Sequence, residues 1–388
     1  MHFLNSKSRI ESIDLLKGLI IVIMALDHTR DFYFQSPGLI DVTDPSTSNL
    51  PLYLTRWITH FCAPTFSFLA GLSAFMVGKR KPKNELANFL VKRGLWLVFL
   101  DFTVIAFVWY FDVHFNNVDF DVIGALGVSM IALAGLIYLP KKIILTISLL
   151  LIFGHNLLDS IHFEGNIWWS FLHEFNSFKI FDFTTINVVY PLIPWIGVMS
   201  LGYYFGIFYE QSFEANRRKE LFNKIGVVAL VFFVILRWIN TYGDLTQWKS
   251  YETGTQTFMS FFNVTKYPPS LLYLCATLGV ALLFLANSEK WKGKIVDFFT
   301  VFGRVPFFFY IIHLYFIHIS AAVVAELSGY GWEIMVQSNF NPDLKNFGFT
   351  LPIVYLIWIG IILTLYPLCK MFDSYKQNHK EIWWLSYL

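Results

Sequence analysis

The chain has 388 residues, of which 14% are charged, 56% hydrophobic and 19% aromatic. An average soluble domain carries about 25% charged residues, so too few are present here to coat a soluble surface of this length, and the apolar content excludes disorder. A net charge of only +2 argues against a nucleic-acid partner, and three scattered cysteines, Cys62, Cys275 and Cys369, argue against a disulfide scaffold. What remains is a polytopic membrane protein.

In chain order, apolar stretches long enough for a bilayer core, about 20 residues each, fall at roughly 15–33, 54–78, 94–111, 120–139, 142–161, 187–208, 225–241, 269–287, 303–326 and 350–369. They are too long and too unalternating for the strands of an outer-membrane barrel. The expected fold class is therefore all-α: one domain over residues 1–388, an integral membrane bundle of about ten transmembrane helices. The cations set its orientation. With the N-terminus in the cytoplasm, 22 of the 29 Lys and Arg fall on inner connectors. Only Arg30, Arg56, Lys179, Arg237, Lys249, Lys266 and Lys345 fall outside. Both termini are expected to be cytoplasmic, in a multi-pass protein of the inner or plasma membrane.

Lys7 and Arg9 followed by Gly18 to Leu26 imitate a signal peptide, but Asp27-His28-Thr29-Arg30-Asp31 stands where small residues would mark cleavage, so the segment reads as a mature first helix. The outer connectors, about 34–53, 162–186, 242–268 and 327–349, hold aromatics and turn formers (Pro37 and Gly38 in the first) that suit ordered lids. The tail ending Trp383-Trp384-Leu385-Ser386-Tyr387-Leu388 reads as an interfacial aromatic anchor.

Ionisable groups inside spans are costly and default to functional hypotheses. The densest set closes the first helix. His28 and Asp31 lie three apart on one face and Asp27 and Asp31 four apart, so a carboxylate could orient the imidazole as a general base needs. The plainer reading is a set of membrane-edge ion pairs, Asp27–Arg30 and His28–Asp31. Arg56 and His60 form an i,i+4 pair on the second span and can approach His28 if the two helices are neighbours; a snorkelling arginine is the plainer role for Arg56. His155, Asn156 and Asp159 share another outer helix end, with Arg237 near a further one. Lys266 precedes Pro268-Pro269 and could meet an anionic group or merely mark the interface. On the inner side, Gly303-Arg304-Val305-Pro306 is expected to open the ninth span, placing Arg304 as a phosphate contact at a helix N-terminus. His313 lies about 13 Å above it at 1.5 Å per residue, and Asp14 lies about 21 Å below His28. The spacing of His28, His60, His155 and His313 matches no metal-ligand pattern, and no metal is expected.

The run Asp14-Leu15-Leu16-Lys17-Gly18 with His28 fourteen residues after the aspartate resembles the opening of integral-membrane acyltransferases, and Gly303-Arg304 with Tyr310-Ile311-Ile312-His313 resembles their late element. Ala25 to Asp31, Arg56 to Leu72, Tyr190 to Gly202, Asn263 to Leu272 and Trp383 to Leu388 look like bacterial members of the heparan-alpha-glucosaminide N-acetyltransferase catalytic-domain family. The resemblance implies transfer of an acetyl group from cytoplasmic acetyl-CoA, the acyl donor, to a sugar or glycan amine or hydroxyl across the bilayer, with room for a homodimer. Carried over onto this chain, it implies His28 as base or acyl carrier, Asp27 or Asp31 orienting it, and Arg30, Arg56, His60 and Lys266 toward the acceptor or oxyanion. Lys17, Arg304 and His313 are implied on the acetyl-CoA side. The glucosaminide enzyme has an asparagine at the position of His28 and its reactive histidine in the following loop; here no histidine lies between His28 and His60. The alternatives are a transporter or permease using the same charges as a substrate or proton path, and an inactive accessory protein that keeps the scaffold.

Overall fold

The computed structural model describes residues 10–35, 41–180, 183–339, 341–379, 381–382 and 385. Lys7, Arg9 and Lys380 of the expected cytoplasmic charge, Pro37 and Gly38, and the tail residues Trp383, Trp384, Ser386, Tyr387 and Leu388 lie outside the described residues.

The architecture is mostly helical. In chain order it comprises α1 (Glu11–Tyr33), α2 (Leu50–Ile58), α3 (Cys62–Gly78), α4 (Lys83–Leu100), α5 (Ala106–Tyr110), α6 (Val122–Leu136), α7 (Lys141–Gly154), α8 (Ile167–Leu172) and α9 (Leu192–Phe205). After these come α10 (Ala215–Ile239), α11 (Gly254–Phe262), α12 (Leu271–Ser288), α13 (Lys294–Arg304), α14 (Pro306–Leu327), α15 (Trp332–Gln337) and α16 (Leu351–Asn378). Among the described residues seven helices are long and apolar enough to cross a membrane: Leu50–Gly78, in which α2 runs into α3, Lys141–Leu158, Leu192–Tyr209, and α10, α12, α14 and α16. The other three expected spans are helical but fall short on charge or length. α1 carries Glu11, Asp14, Lys17, Asp27, Arg30 and Asp31; α4 carries Lys83, Glu85, Lys92 and Arg93 and passes through a π-helical turn, Asp101–Ile105, into α5; α6 has 15 residues.

The helical expectation holds for most of the described residues, and the connectors add a small three-stranded sheet, β1 (Asn117–Phe120), β2 (Asn176–Ile180) and β3 (Thr184–Val188), in the order β1-β3-β2. β3 runs antiparallel to β2 and parallel to β1, pairing Asp119 with Asn187. A parallel pair needs a long crossover, so β1 meets its partner only after three helices have intervened, and four polar-rich residues carry no local strand pattern.

Apolar residues surround α1 because it is the centre of the bundle. It packs against α3, α12, α13, α14 and α16, and side chains on every face, such as Leu16, Ile20, Ile21, Val22 and Leu26, are buried. α10 and α16 are peripheral, with Val227, Val231, Trp238, Leu356 and Leu363 exposed, the arrangement a lipid-facing helix requires. Two helix crossings are made by glycine. A Cβ at Gly18 would sit 1.8 Å from the Phe299 carbonyl oxygen, and one at Gly303 would sit 1.7 Å from that of Asp14, so α1 and α13 touch backbone to backbone. Gly71 and Gly202 do the same for α3 and α9, at 1.8 and 1.9 Å from Met199 and Phe68 oxygens. Small residues at such contacts are the usual route to close helix packing in lipid.

Candidate active site

The Gly18–Gly303 contact sets the site's first end. It brings Lys17 and Arg304, each beside one of these glycines, to the same end of a cavity of about 740 Å³, a volume within the usual range for small-molecule and cofactor sites. Lys17 Nζ donates to Ser73 Oγ at 2.8 Å, and an Arg304 guanidinium nitrogen lies 3.3 Å from Asp373 Oδ2. Arg304 closes α13 instead of opening the ninth span, whose helix α14 begins after Val305; the expected helix-N-terminal geometry is corrected by one broken turn. Arg93 and Lys376 line the cavity as well, and neither was singled out from sequence. Around Lys17, then, the charged lining among the described residues is cationic: Lys17, Arg93, Arg304 and Lys376.

From Lys17 to Asp31 along α1 is about 21 Å at 1.5 Å per residue, and the cavity follows that length. At its far end Asp27 is shared between two guanidiniums, Oδ1 at 2.8 Å from Arg30 and Oδ2 at 2.9 Å from Arg56. Asp31 Oδ1 lies 2.5 Å from the same Arg30, and Arg56 also donates to Thr59 Oγ1 at 2.9 Å. Arg30 and Arg56 are nearly buried, with 6% and 13% side-chain exposure. Charges taken this far from water persist only when paired, which is why these carboxylates go to arginines. The expected orienting bond from Asp27 or Asp31 to His28 is therefore corrected: neither carboxylate hydrogen-bonds to the imidazole.

His28 is oriented by His313 instead. Nδ1 of His28 lies 2.8 Å from Nε2 of His313, the ring planes 10° from parallel with centroids at 5.1 Å. Nδ1 of His313 donates to the Phe309 carbonyl at 2.8 Å, and Trp109 meets the His28 ring edge-on at 5.2 Å. His28 lines the cavity, whereas His313 is wholly buried behind it. The expected place of His313 on the donor side is thus replaced by one against His28. His60 is also away from the cavity: its Nδ1 donates to the Arg56 carbonyl at 3.1 Å, and its ring lies near Trp57 and Tyr273.

Beyond His28 the cavity is lined by Asp119, Asp121, Tyr110, Tyr190, Lys266, Tyr267 and Asn339. Of these only Lys266 was proposed from its charge, and Tyr190 only as part of a helix-breaking segment. Asp119 accepts from the Tyr110 hydroxyl at 2.8 Å and from Asn187 Nδ2 at 2.7 Å across the β1–β3 pair. Asp121 caps α6, accepting from the Val122 amide at 2.7 Å, while its own amide donates to Asp101 Oδ2 at 3.0 Å. Lys266 Nζ stands 5.0 Å over the Tyr267 ring. The segment that carries these two is clamped from behind. Asp244 accepts from the Thr265 amide and the Ser270 hydroxyl, and Arg237 donates to the carbonyls of Thr246, Ser260, Phe261 and Asn263. His155 donates through Nε2 to the Pro269 carbonyl, and Asn156 accepts from the Leu271 amide. The polar groups His155, Asn156 and Arg237 thus hold a loop and do not face the cavity.

No group of three or more His, Cys, Asp or Glu placed to hold a metal ion occurs among the described residues. No curated protein matches the chain. The family described as heparan-alpha-glucosaminide N-acetyltransferase, catalytic, matches residues 9–238, more than half of the chain, and the chain belongs to that family. Membership, together with the apolar helices, makes it a membrane acetyltransferase.

Proposed function

We propose that this acetyltransferase takes acetyl-CoA from the cytoplasm at the Lys17–Arg304 end of the cavity and passes the acetyl group to an amine or hydroxyl of a sugar or glycan presented on the outer side of the inner or plasma membrane. The observation that supports this best is the division of charge along one cavity. Four cations line the end near Lys17, suited to the phosphates of a coenzyme. Asp27, Asp31, Asp41, Asp119 and Asp121 against Arg30, Arg56 and Lys266 line the other, which suits a polyhydroxylated or amino acceptor. Aromatic rings at Tyr190 and Tyr267, 5.2 Å apart and edge to face, offer a wall for its apolar face.

His28 stands between the two ends. Its imidazole takes the proton from the acceptor as the acceptor's oxygen or nitrogen bonds to the thioester carbon; the carbon–sulfur bond breaks, and the imidazolium returns the proton to the leaving thiolate. Lys266, whose ammonium stands over the Tyr267 ring with no carboxylate within bonding distance among the described residues, supplies the positive charge for the oxyanion. Purified protein in nanodiscs, given radiolabelled acetyl-CoA and candidate amino sugars, tests the reading: label moves to the acceptor, and His28→Ala abolishes this with membrane insertion unchanged. Full activity in His28→Ala would sink it, and substrate accumulation that needs no acetyl-CoA would favour a transporter.

A further inference from the structure

We infer that His313 is a positioning residue that fixes His28 in the Nδ1–H tautomer and leaves Nε2 of His28 bare toward the cavity. For its catalytic meaning the inference rests on the acetyl-transfer reading above; for its geometry it does not.

The argument is a chain of donors and acceptors with one solution for neutral rings. A carbonyl oxygen only accepts, so the 2.8 Å contact of Nδ1 of His313 with the Phe309 carbonyl requires the hydrogen on that nitrogen. A neutral imidazole carries one N–H, so Nε2 of His313 is a lone pair. That lone pair lies 2.8 Å from Nδ1 of His28, and the contact is a hydrogen bond only if Nδ1 of His28 carries its own hydrogen. Nε2 of His28 is then the unprotonated nitrogen, and it makes no hydrogen bond among the described residues. Packing holds both rings. Phe309 lies against the His313 ring, 4.9 Å away and 5° from parallel, His28 meets its Nε2 edge with the two ring planes 10° apart, and Trp109 packs edge-on to His28. His313 lies four residues after Phe309 on α14, the spacing that puts a ring nitrogen over the carbonyl one turn back. His313 itself does not reach the cavity.

The consequence for the reaction concerns a single proton. Nε2 of His28 can accept it from the acceptor hydroxyl or amine without a prior tautomer change, and throughout the step Nδ1–H stays on the lone pair of His313. When the proton passes to the departing thiolate, both rings are as they began. An orienting carboxylate does this work in the serine hydrolases; here Asp27 and Asp31 are bound to arginines, and a second imidazole does it without placing another charge beside them.

The test has two arms. Solid-state NMR of the full-length protein in lipid, labelled with nitrogen-15 histidine and with the His28 signals assigned by their loss in His28→Asn, reads the tautomer directly. The expected result is the Nδ1–H form in the wild type and a shift to the Nε2–H form or a mixture in His313→Phe. In the activity arm, His313→Phe lowers kcat for acetyl transfer about tenfold or more, below the roughly 10⁴ that a wrong tautomer costs a serine hydrolase. The KM for acetyl-CoA stays within about twofold. His313→Gln, whose amide oxygen can accept the same bond, recovers part of the lost rate. An Nε2–H tautomer in the wild type would overturn the inference, as would an unchanged kcat in His313→Phe. Should the wild type transfer no acetyl group at all, the acetyl-transfer reading fails, and the NMR arm still decides the tautomer.

Discussion

The two ends of the cavity solve opposite problems with the same residue types. Near Lys17 the lining charges are of one sign, and Arg304 meets Asp373 at 3.3 Å with 31% of its side chain exposed. Near His28 arginines are as plentiful, yet Arg30 and Arg56 are almost out of water and share Asp27 and Asp31 at 2.5 to 2.9 Å. At the first end the cavity-lining charges among the described residues are cations, and Arg304 keeps part of its side chain in reach of solvent. At the second end charge is committed to the fold, and what remains for a ligand is Lys266 with Asp119 and Asp121. An arginine beside a cavity is therefore not by itself a ligand contact. Its burial and its partner decide whether it belongs to stability or to binding.

Substitutions at the two ends can break this distinction. The largest expected effect is at His28 itself: His28→Ala lowers kcat about 10²- to 10⁴-fold, the usual worth of a positioned base, measured as acetyl transfer by protein of unchanged monodispersity. Asp27→Asn follows, destabilising by about 3–5 kcal/mol because it strips the shared partner from two buried guanidiniums, read as a lowered thermal midpoint in detergent. Gly303→Ala forces a methyl group against α1 and costs about 1–3 kcal/mol, with weaker acetyl-CoA binding. Gly135→Ala on α6, where an added Cβ meets nothing within 4 Å, is its neutral control. Arg304→Ala reverses the pattern of Asp27→Asn: stability changes by less than about 1 kcal/mol, as for a partly exposed pair, while acetyl-CoA affinity falls about tenfold in titration, the loss of one charge-assisted bond. If Arg304→Ala instead unfolds the protein and leaves binding intact, the contrast between the ends is wrong. The smallest effect is at His60, where His60→Gln costs about 1 kcal/mol, one net hydrogen bond, and leaves transfer per folded molecule unchanged.

How much of this could be read from the residues follows from how local each feature is. Lys17, His28 and Lys266 were legible because a charge or imidazole inside an apolar run stands out, and the helix rise fixes the distance from Asp14 to His28. Lys17-Gly18 and Gly303-Arg304 were visible as motifs, but their meaning was not. The glycines are there so that two helices 285 residues apart in sequence can touch, and the cations follow. The partner of His28 was misread for a related reason. Spacing offered Asp31 one turn away, while competition for that carboxylate by Arg30 and the arrival of His313 from α14 are long-range facts. Asp119 and Asp121 sit in a four-residue strand and a helix cap whose pairing to β3 is likewise non-local. His155 and Arg237 drew notice as intramembrane polar groups, yet they serve the loop carrying Lys266, because buried backbone carbonyls need donors as urgently as ligands do.

The central claim is that one cavity joins a cationic donor end to an acceptor end on the other side of a membrane, with His28 between. It is tested most directly in proteoliposomes of fixed orientation, with labelled acetyl-CoA supplied only on the side of Lys17 and Arg304 and an amino-sugar acceptor only on the side of Lys266. The account predicts acetylated acceptor that keeps to its own side and disappears with His28→Ala. Product formed only when donor and acceptor share one side would contradict it.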